Sequence, residues 1–111
     1  MAKPVILSNG RSWKTQLAAK EHFKAMLHRY SDGDEVPTSS PDHSDLLALL
    51  EKYDSGAKPG EEKCGEGVLS FFKARDVENG GTTSCFYVKR LGRTPIDFSV
   101  YKAIEFASKN P

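Results

Sequence analysis

With 111 residues the chain suits one domain, spanning 1–111, and has no room for two. Apolar residues at 38% and charged residues at 28% supply a modest core and exclude a disordered chain. The net charge of +1 is close to neutral, and no window approaches the roughly 18 consecutive apolar residues of a membrane span.

That average conceals a pattern. Residues 1–30 carry six basic side chains and one acid, whereas residues 31–65 carry nine acids and three lysines. Residues 66–111 are mildly basic. Such an asymmetry predicts a basic side and an acidic side if the segments fold to different faces.

Pro4 to Leu7 is β-branched and apolar and reads as a first strand; its apolar run is too short for a signal-peptide core, which places the protein in the cytoplasm. Asn9-Gly10 tolerates positive φ and predicts a hairpin turn into a return strand over Arg11–Trp13. Thr15 is an N-cap candidate for a helix from Gln16 to Tyr30. In that helix Ala19, Phe23, Met26, Leu27 and Tyr30 define a buried stripe, and Lys20, Lys24 and His28 line another face.

Residues 31–40 read as a polar loop containing Asp32, Asp34 and Glu35. A second helix starts near Pro41, a residue suited to the first turn, and its leucines imply deep burial. Residues 54–62 read as a second loop. Val68–Arg75 is apolar on both faces and predicts a central strand. After a turn at Asn79-Gly80-Gly81, Ser84–Arg90 is the next strand, and Leu91-Gly92 turns it into Ile96–Phe98. Ser99 is placed to cap a last helix running to about Ser108. The expected fold is α+β: a mostly antiparallel sheet of about five strands with three helices on one face, in the order ββααβββα.

No catalytic grouping is specific. Cys64 and Cys85 match no zinc spacing and read as reduced thiols. His22, His28 and His43 have no metal-like spacing and read as surface or capping residues. The acids from Asp32 fail the calcium-loop pattern, because its twelfth position is His43. Gly60 to Gly67 lacks the Gly-Lys-Ser/Thr ending of a phosphate loop. The expectation is therefore no enzyme, no cofactor and no metal.

Two features stand out. Lys63-Cys64-Gly65-Glu66-Gly67, just before a buried strand, is either a bulge or a set of backbone amides facing an anion. Basic residues, including Lys20, Lys24, Arg90, Arg93 and Lys102, accompany Trp13, Tyr87 and Tyr101. Cations beside exposed rings suit single-stranded RNA, where phosphates give affinity and rings give stacking.

Four separate stretches carry a family resemblance: Lys63-Cys64-Gly65-Glu66-Gly67-Val68, Ser84-Cys85-Phe86, Arg90-Leu91-Gly92, and Asp97-Phe98-Ser99 followed by Lys102. In this order they resemble the DCL-like domain, named for a plant protein needed for chloroplast and leaf development. A similar domain ends the largest subunit of a plant-specific RNA polymerase, and short stand-alone versions occur in bacteria. This chain departs from the pattern where Lys52-Tyr53-Asp54 replaces a His-Pro, and where Leu91 precedes Gly92.

The resemblance implies RNA or RNA-handling machinery and brings no catalytic residue. The motif residues Lys63, Gly65, Gly67, Phe86, Arg90, Gly92, Asp97, Phe98 and Ser99 also have structural readings, such as an Arg90–Asp97 pair across the hairpin. The resulting expectation is a non-catalytic RNA-processing domain that binds RNA through a basic face of Lys63, Arg90, Arg93, Lys102, Lys20 and Lys24. The alternative is a protein-interaction module whose acidic 31–65 segment docks on a basic partner. Neither reading involves a membrane.

Overall fold

The structure is a computed structural model and describes residues 4–58, 63, 67–75 and 84–109. The expected turn at Asn79-Gly80-Gly81, and Cys64, Gly65 and Glu66 of the glycine-rich stretch, lie outside the described residues.

The chain begins with a short hairpin. Strands β1 (Val5–Ile6) and β2 (Ser12–Trp13) pair antiparallel, with Val5 opposite Trp13. Gly10 takes φ +88° in the turn, where a side chain would be strained. Helix α1 (Gln16–His28) follows, its first turn closed by Thr15 Oγ1, which accepts the Ala18 N–H at 3.1 Å. Such a cap is worth about 1 kcal/mol.

Helix α2 (Pro41–Asp54) opens in the same way. Ser40 Oγ accepts the His43 N–H at 3.2 Å, and Pro41 sits in the first turn, where its missing N–H has no intrahelical partner to lose. Between α1 and α2 lies an element the sequence reading missed. Glu35–Val36 forms an edge strand, β3, within the expected loop.

Strands β4 (Val68–Arg75), β5 (Ser84–Arg90) and β6 (Arg93–Phe98) then precede helix α3 (Val100–Lys109). Antiparallel pairing gives a four-stranded sheet in the order β3-β4-β5-β6, with β4 and β5 central. The fold is α+β, as expected, but the first hairpin stays outside this sheet, so among the described residues six strands divide into sheets of two and four. Strands β1 and β2 pair with each other and pack on α3 and α1.

Register decides which side chains face the helices. Lys73 lies opposite Phe86, Phe86 opposite Phe98, and Phe71 opposite Val88. Phe71, Phe86, Val88 and Phe98 are buried and meet Phe23 and Met26 of α1, Leu46, Leu49 and Leu50 of α2, and Ile104 of α3 in one core. Each such side chain stabilises the fold by about 1.5–3 kcal/mol on burial. The same alternation puts Lys73, two residues after Phe71, on the inward face beside an aromatic core.

The other sheet face carries Phe72 and Tyr87, whose rings stack with centroids 5.4 Å apart and planes 21° apart. Among the described residues no helix is long and apolar enough to cross a membrane.

Candidate functional site

The uneven charge along the sequence is largely consumed by the fold. Arg11 reaches Asp45, Arg29 reaches Asp42, Arg75 reaches Asp32 and Lys89 reaches Glu35. The acidic middle is thus partnered from both sides, by Arg11 and Arg29 of the first segment and by Arg75 and Lys89 of the last. Lys89 beside Glu35 also holds that carboxyl below its usual range.

Half of the six expected RNA-binding cations have structural duties. The Lys63 ammonium donates to the Asp97 carbonyl at 2.7 Å, and its N–H donates to Asp54 Oδ1 at 2.8 Å. Arg90 donates from Nε and Nη2 to the Thr94 carbonyl at 2.9 and 2.6 Å, closing the β5–β6 turn. The anticipated Arg90–Asp97 pair does not form. Register sets Arg90 opposite Arg93, and Asp97 opposite Tyr87 three positions away.

Arg93 is exposed near the hairpin tip, and Gly92 takes φ +72° in the turn itself. Lys102 is exposed on α3, where its N–H lies 3.5 Å from Ser99 Oγ. Lys20 pairs with Glu105 at 3.2 Å and lies 5.7 Å from the centre of the Tyr101 ring. The six residues are spread over α1, position 63, the β5–β6 hairpin and α3.

The expected stacking rings are also divided. Arg11 lies 5.6 Å over Trp13, which packs on His22 and Phe23. Tyr87 stacks on Phe72, whose ring also lies under the Lys89 ammonium at 5.7 Å. Tyr101 is 43% exposed.

A different site emerges where α1, the central strands and the start of α3 meet. A cleft of about 510 Å³ opens there. Its apolar wall includes Phe23 and Leu27 from α1, Phe86 from β5, Phe98 at the end of β6, and Val100 from α3. Lys24 and His28 border it from successive turns of α1, Lys73 from β4, and Tyr101 from α3. Among the described residues no carboxylate lines it.

Two of the stretches that carry the family resemblance converge here. Ser84-Cys85-Phe86 and Phe98-Ser99 both line the cleft. Of the six expected contact residues, Lys24 alone is part of it; Lys73 and His28 complete its polar border. The alternating pattern of β4 was the available sign for Lys73, since it shares the face of Phe71.

A second polar cluster was missed altogether. Asp45, 4% exposed, accepts from His22 Nε2 at 2.9 Å and from Asn9 Nδ2 at 3.0 Å. His22 is thus half-buried in a polar network rather than a surface or capping residue. His43 departs from expectation too. Its ring packs edge-on against Phe71, its Nδ1 is buried without a hydrogen-bond partner, and desolvation lowers its pKa. The legible sign for the first was an aspartate on the α2 stripe, three residues before Ala48 and four before Leu49.

Among the described residues no group of three metal-ligating side chains comes together. The model of a protein family of unknown function, DUF3223, matches residues 24–104. The chain belongs to the DUF3223 family. That DUF3223 region holds every lining residue named for the cleft except Phe23, and it leaves out β1 and β2.

The fold is similar to that of an uncharacterized protein from Rhodospirillum rubrum, solved by solution NMR. The TM-score is 0.73 at 27% identity, over 93% of this chain and 89% of that one. Comparison with curated proteins finds no match.

Proposed function

We propose that this DUF3223 chain is a DCL-like, non-catalytic cytoplasmic domain that supports RNA processing by binding single-stranded RNA. The observation that carries the reading is the cleft. Lys24, His28 and Lys73 border an apolar hollow that no described carboxylate lines, with an exposed tyrosine at its side. Elsewhere Arg11, Lys20, Arg29, Arg75 and Lys89 are matched to carboxylates. Two lysines and a histidine able to donate hydrogen bonds, set around an apolar hollow, suit a strand whose phosphates need charge and whose bases need stacking. The DCL-like resemblance points to the same class of ligand.

The contact set differs from a broad basic face. Lys24 stays, and Lys73 and His28 take the place of Lys63 and Arg90, whose side chains close the fold. Lys102 and Arg93 remain accessible as outlying phosphate contacts. Docking of the acidic 31–65 segment on a basic partner has less to draw on, because Asp32, Glu35 and Asp42 are paired and Asp45 is buried.

Titration with a short single-stranded RNA at two salt concentrations tests the reading. Binding is expected at low salt, with log affinity falling by about 0.7 per phosphate contact for each tenfold rise in salt. Lys24→Glu is expected to weaken it. Absence of binding at low salt, or binding indifferent to salt, overturns the proposal.

A further inference from the structure

We infer that the cleft seats a single nucleotide of the bound strand, its base against the apolar wall and its phosphate at the Lys24–His28 border. This rests on the RNA reading above and specifies what occupies the site.

The border is built from a helical repeat that the fold divides. Lys20, Lys24 and His28 follow each other at four-residue intervals on α1. Lys20 is matched by Glu105, but neither Lys24 nor His28 has an ion-pair or hydrogen-bond partner among the described residues. At that spacing their Cβ atoms lie about 5–6 Å apart, close enough to serve one phosphate group. Lys73 enters from the sheet side and donates one hydrogen to the Tyr30 carbonyl at 2.9 Å. An ammonium has three, so two remain for a ligand.

Like charges gathered around a hollow without a counter-ion raise the local positive potential and attract an anion. The hollow itself asks for something other than an anion. Phe86 and Phe98 are 1% exposed and form the already covered floor, so the open apolar surface is that of the half-buried Leu27 and Val100. A free phosphate leaves that surface wet, whereas a base covers it. Tyr101, 43% exposed, adds a ring at the side.

Volume sets the size of the occupant. About 510 Å³ lies within the range of pockets for drug-sized ligands, which a mononucleotide matches and a duplex exceeds. The lining also limits selectivity. Ser84 Oγ donates to Asp32 at 2.6 Å, and Ser99 Oγ sits at the start of α3 facing the Lys102 N–H. With Ser84 donating to Asp32, the hydroxyls left at the cleft are those of Ser99 and Tyr101, and since a hydroxyl can either donate or accept, the four bases bind within a few-fold of one another.

The experiment is calorimetric titration of the full chain with the four nucleoside monophosphates, inorganic phosphate, decanoate and a short single-stranded RNA, repeated on Lys24→Glu and Val100→Phe. All four monophosphates are expected to bind, phosphate and decanoate at least tenfold more weakly. Lys24→Glu weakens monophosphates and RNA together by tenfold or more, and Val100→Phe, which fills the hollow, does the same. Circular dichroism checks that Val100→Phe folds; if it does not, the exposed Lys24 substitution decides alone.

Salt-dependent RNA binding without monophosphate binding overturns the nucleotide seat and leaves the RNA reading standing. Monophosphate binding without RNA binding overturns the RNA reading, and with it a seat for one nucleotide of a strand. Decanoate binding as tightly as the monophosphates assigns the cleft to amphipathic acids and overturns the inference.

Discussion

The Asp45 carboxylate and the His22 ring face each other at 2.9 Å, tying α2 to α1 beside the first hairpin. A carboxylate oxygen accepts in this contact, so Nε2 is the donor. The other Asp45 oxygen takes the Asn9 amide at 3.0 Å and lies 3.4 Å from Arg11 Nε. One buried acid thus joins the β1–β2 turn, the return strand and two helices. The Trp13 ring lies 5.1 Å from the His22 ring and covers the same junction.

Replacing this acid is expected to show how much of the junction it holds. Asp45→Leu removes the acceptor of the half-buried His22 and of the exposed Asn9, at about 3 kcal/mol. Asp45→Asn keeps the shape and one carbonyl oxygen, so its cost is expected to be about 1–3 kcal/mol. Urea denaturation separates the two by midpoint at constant slope. A cycle with His22→Ala is expected to show coupling, since the two side chains touch.

His43 gives the protein a dependence on mildly acidic pH. Burial lowers its pKa from the ordinary 6.5, and Nδ1 has no partner to stabilise a proton. The unfolded chain therefore binds the proton more readily than the folded one. Its contribution is fully present above pH 6.5 and is lost as pH falls from there through the folded value. Thermal melts between pH 7.5 and 5 are expected to show decreasing stability. His43→Leu, which keeps an apolar contact with Phe71, flattens that decline.

The parts of this fold set by neighbouring residues were legible in sequence. Asn9-Gly10 turns the first hairpin, and Thr15 and Ser40 start α1 and α2, because each acts within about three residues of itself. The strand β3 was not legible. It has only two residues, and its pairing of Val36 with Phe71 depends on a strand far along the chain. The same distance hid the His22–Asp45 contact.

The charge asymmetry misled for a related reason. A count along the chain does not contain the facing of α1 on α2 that brings Arg29 to Asp42. The cleft combines residues of α1, β4, β5, β6 and α3, so Lys24 was legible only as part of a helical stripe. Its difference from Lys20 arises from Glu105, on another helix.

Tyr30 is expected to ionise late. Its phenol is pushed up to about 12, first by burial and then by donation to Asp42 Oδ2 at 2.7 Å. The folded state holds this proton more tightly than the unfolded state. The associated stability is present below pH 10 and is lost as pH rises from 10 toward 12. Ultraviolet titration is expected to show a late component that Tyr30→Phe removes, while Arg29 keeps its 2.7 Å contact with Asp42 Oδ1.

The end of α2 offers a steric test independent of charge. A Cβ added at Gly56 meets the side chain of Phe106, whose ring packs edge-on against Tyr53 at 5.9 Å. Gly56 is not among the glycines with positive φ, so conformational strain does not account for the choice of residue. Close approach does. Gly56→Ala is expected to destabilise by about 1–3 kcal/mol, the usual range for overpacking. In a Phe106→Ala background the obstacle is gone, and the same substitution is expected to change stability by less than about 0.5 kcal/mol. Equal losses in both backgrounds, measured by urea denaturation, indicate a backbone requirement at position 56 rather than a clash with the ring.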